Sequence, residues 1–294
     1  MTIDNKKSKV KAALARFCVV ALVSVLAAHN AAYAGQLDGQ SMPSKSLAYD
    51  SGAGTLLKLD NGELSRSDDQ GRTWTTVPLP SLKGHVTTVT VAAKEDGIFY
   101  VAGPEAGVLR TTDNGKNWAD IGEALPSKQV TALAAHATEP DTLYASVAAE
   151  GIYRTQDDGK SWKLMDKGID GIRQLLHTNM EGSMETGWLY AATADGARVS
   201  MDCFCLWRDA GELSGPVHSL TYDPRKPENL FASTKEGVFE STDGGQAWKE
   251  IAPLPKEALA LAVSETGGLY ALASDGALFV SGDGAETWEP AGDR

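Results

Sequence analysis

Apolar and polar positions along this chain come in short runs, broken again and again by Gly, Asp and Pro. After the first 34 residues no run keeps a helical period. One stretch shows the unit. Gln129–His136 reads as a first strand, Thr142–Ser146 as a second, Gly151–Arg154 as a third and Trp162–Met165 as a fourth. The second strand recurs as Leu-Tyr-Ala at 143–145, 189–191 and 269–271, with Leu230-Phe231-Ala232 as a near copy. Such β-branched and aromatic runs suit a pleated, packed surface.

An octapeptide punctuates these units. Six times a Ser or Thr is followed two residues later by Asp and seven residues later by Trp. The acids are Asp69, Asp113, Asp157, Asp202, Asp243 and Asp283, and the indoles Trp74, Trp118, Trp162, Trp207, Trp248 and Trp288. Successive Trp residues lie 44, 44, 45, 41 and 40 residues apart. A period of that length carrying four short strands means radial repetition, so the expected fold is an all-β, six-bladed propeller of four antiparallel strands per blade. Residues 45–77 already hold a whole first blade, so the ring is expected to close by packing of blade 1 on blade 6. Blade 4 is expected to be irregular, with a long connection at 178–187 and Phe204 where the other boxes carry small residues.

The chemistry of the box is structural. Ser, Thr and Asp side chains bond nearby backbone N–H groups, and Gly two residues after Asp permits a tight turn. All six Asp residues, Asp202 included, are expected to act as box scaffold. Trp then begins the next strand and is expected to bury its ring over its own hairpin. With these residues Asp69 to Trp74, Asp113 to Trp118 and their copies, the sequence resembles the BNR, or Asp-box, repeats. These belong to sialidase-like propellers, sortilin-type propellers and photosystem II assembly-factor propellers. The resemblance covers residues 40–292 and implies the fold. It says little about activity, because unrelated functions share the box.

The first 34 residues read as a cleaved leader. Lys6, Lys7, Lys9, Lys11 and Arg16 precede an apolar run from Phe17 to Ala28, and Ala32-Tyr33-Ala34 fits a small-residue cleavage site. The expectation is an exported protein, periplasmic or secreted, with residues 35–294 forming one propeller and no membrane insertion after cleavage. Without the leader the chain holds 22 basic and 38 acidic residues, a formal charge of −16. That disfavours nucleic acid and anionic membranes as partners and favours cations, basic proteins or simple solubility; the partner expected is a protein, with basic character as one option. The protein alone is expected to be monomeric.

Blade geometry assigns faces. Fourth-to-first and second-to-third strand loops share one face, termed upper, and the boxes lie on the lower outer rim. Ligands of similar propellers approach the upper face or channel mouth, which leaves the boxes as scaffold. Near the starts of the innermost strands stand Thr87, Thr131, Arg173 and His218, the best pocket candidates; the alternative is a hydrogen-bonded channel lining. Every upper hairpin turn carries an acid: Asp60, Glu105, Glu150, Asp195, Glu236 and Asp275. These are either good turn residues or a ring that attracts a basic partner or a cation. Arg66, Arg110 and Arg154 repeat 44 residues apart, each just before its box. They read as a solvated ladder or as a docking strip.

Cys203 and Cys205, with Met201 beside them, interrupt the fourth box. Three readings stand: a disulfide within the pair, free or intermolecular thiols, and a soft-metal site suited to copper. No other cofactor is expected. A sialidase would need three convergent arginines, a Tyr nucleophile with an acidic partner, and an acid/base Asp. The Phe/Tyr-Arg-Ile-Pro motif of that family is absent, and no complete set is recognisable. The expected function is a binding or assembly module without catalysis. Alternatives are a glycan-binding or glycoside-hydrolysing protein and, third, a copper- or redox-handling protein.

Overall fold

A computed structural model describes residues 44–183, 187–202, 206–213 and 215–292. These residues form six four-stranded antiparallel sheets, each built from four consecutive strands, and contain no α-helix. The innermost, first strands of blades 1 to 6 are Lys45–Asp50, Thr88–Val91, Val130–Ala135, Gln174–Thr178, Val217–Asp223 and Ala258–Val263. Each packs on the first strands of its neighbours around the ring, and the strand of blade 1 packs on that of blade 6. Closure is therefore by side-chain packing, without a strand shared between the termini.

The core is six layers, one in each seam between consecutive blades. In blade 2 the second strand Phe99–Gly103 is buried throughout. Phe99 and Val101 face the layer shared with blade 1, whereas Tyr100 and Ala102 face the layer shared with blade 3. Alternate side chains point to opposite faces of a strand, and here both faces are covered. That is why the second strands read as unbroken apolar runs. In the closing layer Leu47 and Leu56 of blade 1 meet Ala260, Ala262 and Leu272 of blade 6.

The regular boxes fold as local hydrogen-bond knots. In blade 3, Thr155 Oγ1 donates to Asp157 Oδ1 at 2.8 Å and accepts from the Gly159 amide at 2.8 Å. Asp157 then accepts the Ser161 amide and, through Oδ2, the Ser161 hydroxyl at 2.6 Å. The Ser161 hydroxyl and amide, then the Thr155 hydroxyl, hold this carboxylate down at about 2. Gly159 has φ +81°, the backbone that the sequence pattern requires there. Asp69, Asp113, Asp243 and Asp283 accept the equivalent hydroxyls of Ser67, Thr111, Ser241 and Ser281.

Asp202 differs from the other five in one bond. The hydroxyl of Ser200 is buried with no hydrogen-bond partner among the described residues, so Asp202 does not receive the bond that Asp157 takes from Thr155. Asp202 is half-buried and engaged in another interaction. The physical reason lies two residues on. In the other boxes the amide that the hydroxyl accepts belongs to a residue with positive φ, namely Gly71, Gly115, Gly159, Gly245 or Ala285. The fourth box carries Phe204 there, for which that backbone is costly; Phe204 itself lies outside the described residues.

The box Trp rings also differ from expectation. All six are half-buried, and they reach beyond their own hairpins. Indole N–H groups of Trp118, Trp162, Trp248 and Trp288 donate to the carbonyls of Pro78, Ile121, Ala210 and Ala252, each in the preceding blade. Trp74 bonds Gly71 in its own box. The Trp is thus mainly a stitch between blades, because its ring is long enough to cross the seam that its own turn faces. Blade 4 departs from the pattern here too, as expected. Its first-to-second strand connection is long, and the buried Nε1 of Trp207 has no acceptor among the described residues.

Candidate functional site

At the upper mouth the repeat places the four predicted positions in one register. The Thr87 amide donates to Ala102 O and the Arg173 amide to Ala192 O, at 2.8 and 2.9 Å, the same step along equivalent ladders. The side chains then diverge. Thr131 Oγ1 donates to Ser146 Oγ at 2.9 Å, and Thr87 Oγ1 is turned to the carbonyl of Ala102. Both hydroxyls serve their own blades. Arg173 is exposed, while the side chain of His218 is only 7% exposed.

The structure adds a residue that sequence reasoning missed. Glu257, on the loop entering blade 6, places Oε1 2.9 Å from His218 Nε2. Burial is the largest influence on His218 and lowers its pKa; Glu257 opposes that shift, and the charge of Arg173 adds to it. His218 is therefore neutral near pH 7 and donates Nε2–H to the carboxylate. An exposed guanidinium, a neutral imidazole and a half-exposed carboxylate stand together on three adjacent blades. Such a set can hold a carboxylate or an amide and orient it. Glu257 was traceable only through the repeat, as the residue before Ala258, the counterpart of Val217.

The acid-Gly turns do not form a uniform ring. Glu105, Glu150, Asp195, Glu236 and Asp275 are exposed, whereas Asp60 is half-buried and paired with the buried ammonium of Lys45, its cross-strand neighbour. Several also serve their turns: the amides of Asp195 and Glu236 donate to Thr193 and Thr234 hydroxyls, and Asp275 accepts the Ala277 amide. Five carboxylates remain turned to solvent on the upper face.

On the opposite face the arginine series is occupied. Arg66 pairs with Asp68, and Arg110 reaches across the seam to Asp158 at 3.0 Å. Arg154, half-buried at the same strand position, is also engaged. Met201 packs into the layer between blades 4 and 5. Cys203 and Cys205 lie outside the described residues. Among the described residues no three His, Cys, Asp or Glu side chains are arranged to hold a metal ion.

A cavity of about 240 Å³ occupies the central channel and is lined by the first strands of all six blades. Arg173, His218 and Glu257 are not among its lining residues. Its lining runs from Thr88 and Gln174, next in sequence to Thr87 and Arg173, down to Tyr49, Lys94, His136, His177 and Glu265 toward the lower mouth. Sequence reasoning passed over these residues because they fall at strand ends, where the repeat is least regular.

Comparison with known proteins places this geometry. The Sortilin-Vps10 family model (sortilin, neurotensin receptor 3) matches residues 62–196. No curated protein matches the sequence. Among solved structures the chain resembles the GH74 enzyme of Niastella koreensis, with TM-score 0.59 and 16% identity over 83% of this chain and 46% of that one. It thus spans about half the length of that enzyme. It resembles YCF48 from Cyanidioschyzon merolae with TM-score 0.56 and 16% identity over 85% and 86% of the two chains. For YCF48 bound to a D1 peptide the values are 0.51, 18%, 78% and 74%. At these identities the likeness speaks for fold. By its repeated boxes, its six four-stranded blades and these matches, the chain is a six-bladed β-propeller that resembles the BNR-type, sialidase- and sortilin-like propellers.

Proposed function

We propose that this is an exported, non-catalytic propeller whose upper face docks a protein partner, acting as an assembly or stability module. The observation that carries the reading is the upper mouth itself. An exposed Arg173 stands beside the His218–Glu257 pair, inside a rim of five solvent-facing acids. Charges disposed in this way steer and orient a polypeptide more than they transform one. A single carboxylate is bonded within the cluster, whereas glycoside hydrolysis requires two that flank the bond. A propeller of the same fold bound to a peptide, the YCF48–D1 complex, supports the reading.

The test is site-specific photo-crosslinking in cells. A crosslinker at Asp195, on the upper rim, should yield a discrete protein adduct that Arg173→Glu abolishes. The same crosslinker at Lys160, in a box, should not. Adducts from Lys160 alone would overturn the proposal.

A second reading is favoured by one feature, the channel cavity, lined by Tyr222 and by Tyr49, which feels the charge of Glu265. Aromatic faces beside a carboxylate suit a sugar, and a GH74 enzyme shares the fold. Release of sugar from xyloglucan or a sialoside by purified protein, lost on Glu265→Gln, would establish it in place of the first.

A further inference from the structure

The tripeptide Asp-Asn-Gly occurs at 60–62 and again at 113–115. Asn61, in the upper turn of blade 1, and Asn114, in the box of blade 2, share a left-handed backbone, with φ +51° and +61°. The Gly after each has φ +82°. An Asn-Gly step carries a reaction of its own. The Gly amide nitrogen, once deprotonated, attacks Cγ of the preceding Asn, and Gly has no side chain to hinder the approach. The fold treats these two copies differently.

In blade 2 the Gly115 amide is buried and donates to Thr111 Oγ1 at 2.9 Å. The Asn114 amide donates to Gly97 O at 3.1 Å, and the Asn114 side chain lies against Gly97. In blade 1 the strands Thr55–Asp60 and Glu63–Ser67 are joined by two residues only, with Asp60 opposite Glu63. Positive φ at both joining residues is what a type I′ turn requires. Asn61 is exposed, and its own amide donates to Ser44 O at 3.0 Å. Among the described residues nothing receives the Gly62 N–H or holds the Asn61 side chain. A Cβ at Gly62 would meet nothing within 4 Å, so this side of the turn is open.

We propose that Asn61 is a site of spontaneous deamidation on the upper rim, whereas the same tripeptide in the box of blade 2 is protected by the fold. Hydroxide removes the exposed Gly62 N–H proton, and the nitrogen attacks Asn61 Cγ. The Cγ–Nδ2 bond breaks, and ammonia leaves after taking a proton from water. Water then opens the cyclic imide. Attack at one carbonyl gives Asp, and attack at the other gives isoaspartate, in which the main chain runs through the side-chain carbons. One amide and one water become one carboxylate and one ammonium; nothing is oxidised or reduced.

Either product adds a carboxylate where the rim lacks a free one. The other five blades present a solvent-facing acid on this turn, but Asp60 is held by Lys45. The isoaspartate form also lengthens the turn by one main-chain atom, beside the Lys45–Asp60 pair at the closing seam. That the new charge bears on docking rests on the upper-face reading given above. The modification itself does not, and its test needs no partner.

The folded full-length chain, held at about pH 8 and sampled over time by peptide mass spectrometry, provides that test with Asn114 as internal control. Burying the Gly115 amide in a hydrogen bond withholds it by ~10-fold, so Asn61 should convert to Asp and isoaspartate at least ~10-fold faster than Asn114. In urea both steps read Asp-Asn-Gly without the fold and should convert at similar rates. Equal rates in the folded chain would overturn the proposal. So would an Asn61 that stays intact in the folded chain while the unfolded chain converts.

Discussion

The indole N–H of Trp162 donates to the carbonyl of Ile121 at 2.9 Å, tying the Asp box of blade 3 to the end of the outer strand of blade 2. The box is thereby a joint between blades as well as a turn. Trp162→Phe keeps most of the ring and removes this bond, so it should cost about 1 kcal/mol in urea unfolding. Trp207→Phe removes an indole N–H that has no acceptor among the described residues and should cost distinctly less. Equal losses in the two variants would refute the role of the seam bond.

Glycine tolerance should follow space as well as backbone. Gly62 and Gly115 both have φ +82°. A Cβ at Gly62 meets nothing within 4 Å, whereas at Gly115 it would lie 2.1 Å from Val77 Cγ1. Gly62→Ala should cost about 1 kcal/mol for the left-handed backbone alone, and Gly115→Ala about 3 kcal/mol once overpacking is added. Thermal or urea unfolding of the two variants side by side gives the difference.

The boxes should set the acid limit of the fold. The hydroxyl and amide of Thr73, then the hydroxyl of Ser67, hold Asp69 at about 2, and Asp157 sits at about 2 through Ser161. A carboxylate whose folded pKa lies below its unfolded value of about 3.9 contributes stability above that pH. That contribution is lost as pH falls from about 4 to about 2. Asp157→Asn should therefore be less stable than wild type at pH 6, and the gap between their urea midpoints should close by pH 2. A gap that stays constant with pH would show that the carboxylate charge is immaterial.

The upper-mouth cluster should reveal itself in the titration of His218. Glu257 raises the pKa of this imidazole and Arg173 lowers it, against a larger lowering by burial. Glu257→Gln should move the NMR midpoint of His218 further down, and Arg173→Gln should move it up. Absence of either shift would separate that residue from the cluster.

What the sequence determined by itself was whatever the repeat encodes locally. Blade count, strand order and the regular box turns were legible, because a residue such as Asp157 or Gly159 finds its partners within four positions of its own chain. Asp202 marks the limit of that reading. Its spacing from Ser200 and Trp207 matches the repeat, yet the hydroxyl bond is missing where the small residue of the turn is replaced. In blade 3 the expected strands end within one residue of the observed ones, from Val130–Ala135 to Lys163–Asp166. The register of Arg173 and His218 was legible for the same reason, since it follows from counting along equivalent ladders.

Tertiary structure decided everything that crosses a seam. Trp162 binds Ile121 at a separation of 41 residues, Glu257 reaches His218 over 39, and the Ala137 amide reaches His177 over 40. Each pair depends on how far one blade is rotated against the next, and that angle is set by packing across six layers. No local pattern encodes it. Asp60 makes the same point within the acidic series. Its turn matches the others in sequence, yet the buried Lys45 beside it, at the closing seam of the ring, leaves it paired while its five counterparts face solvent.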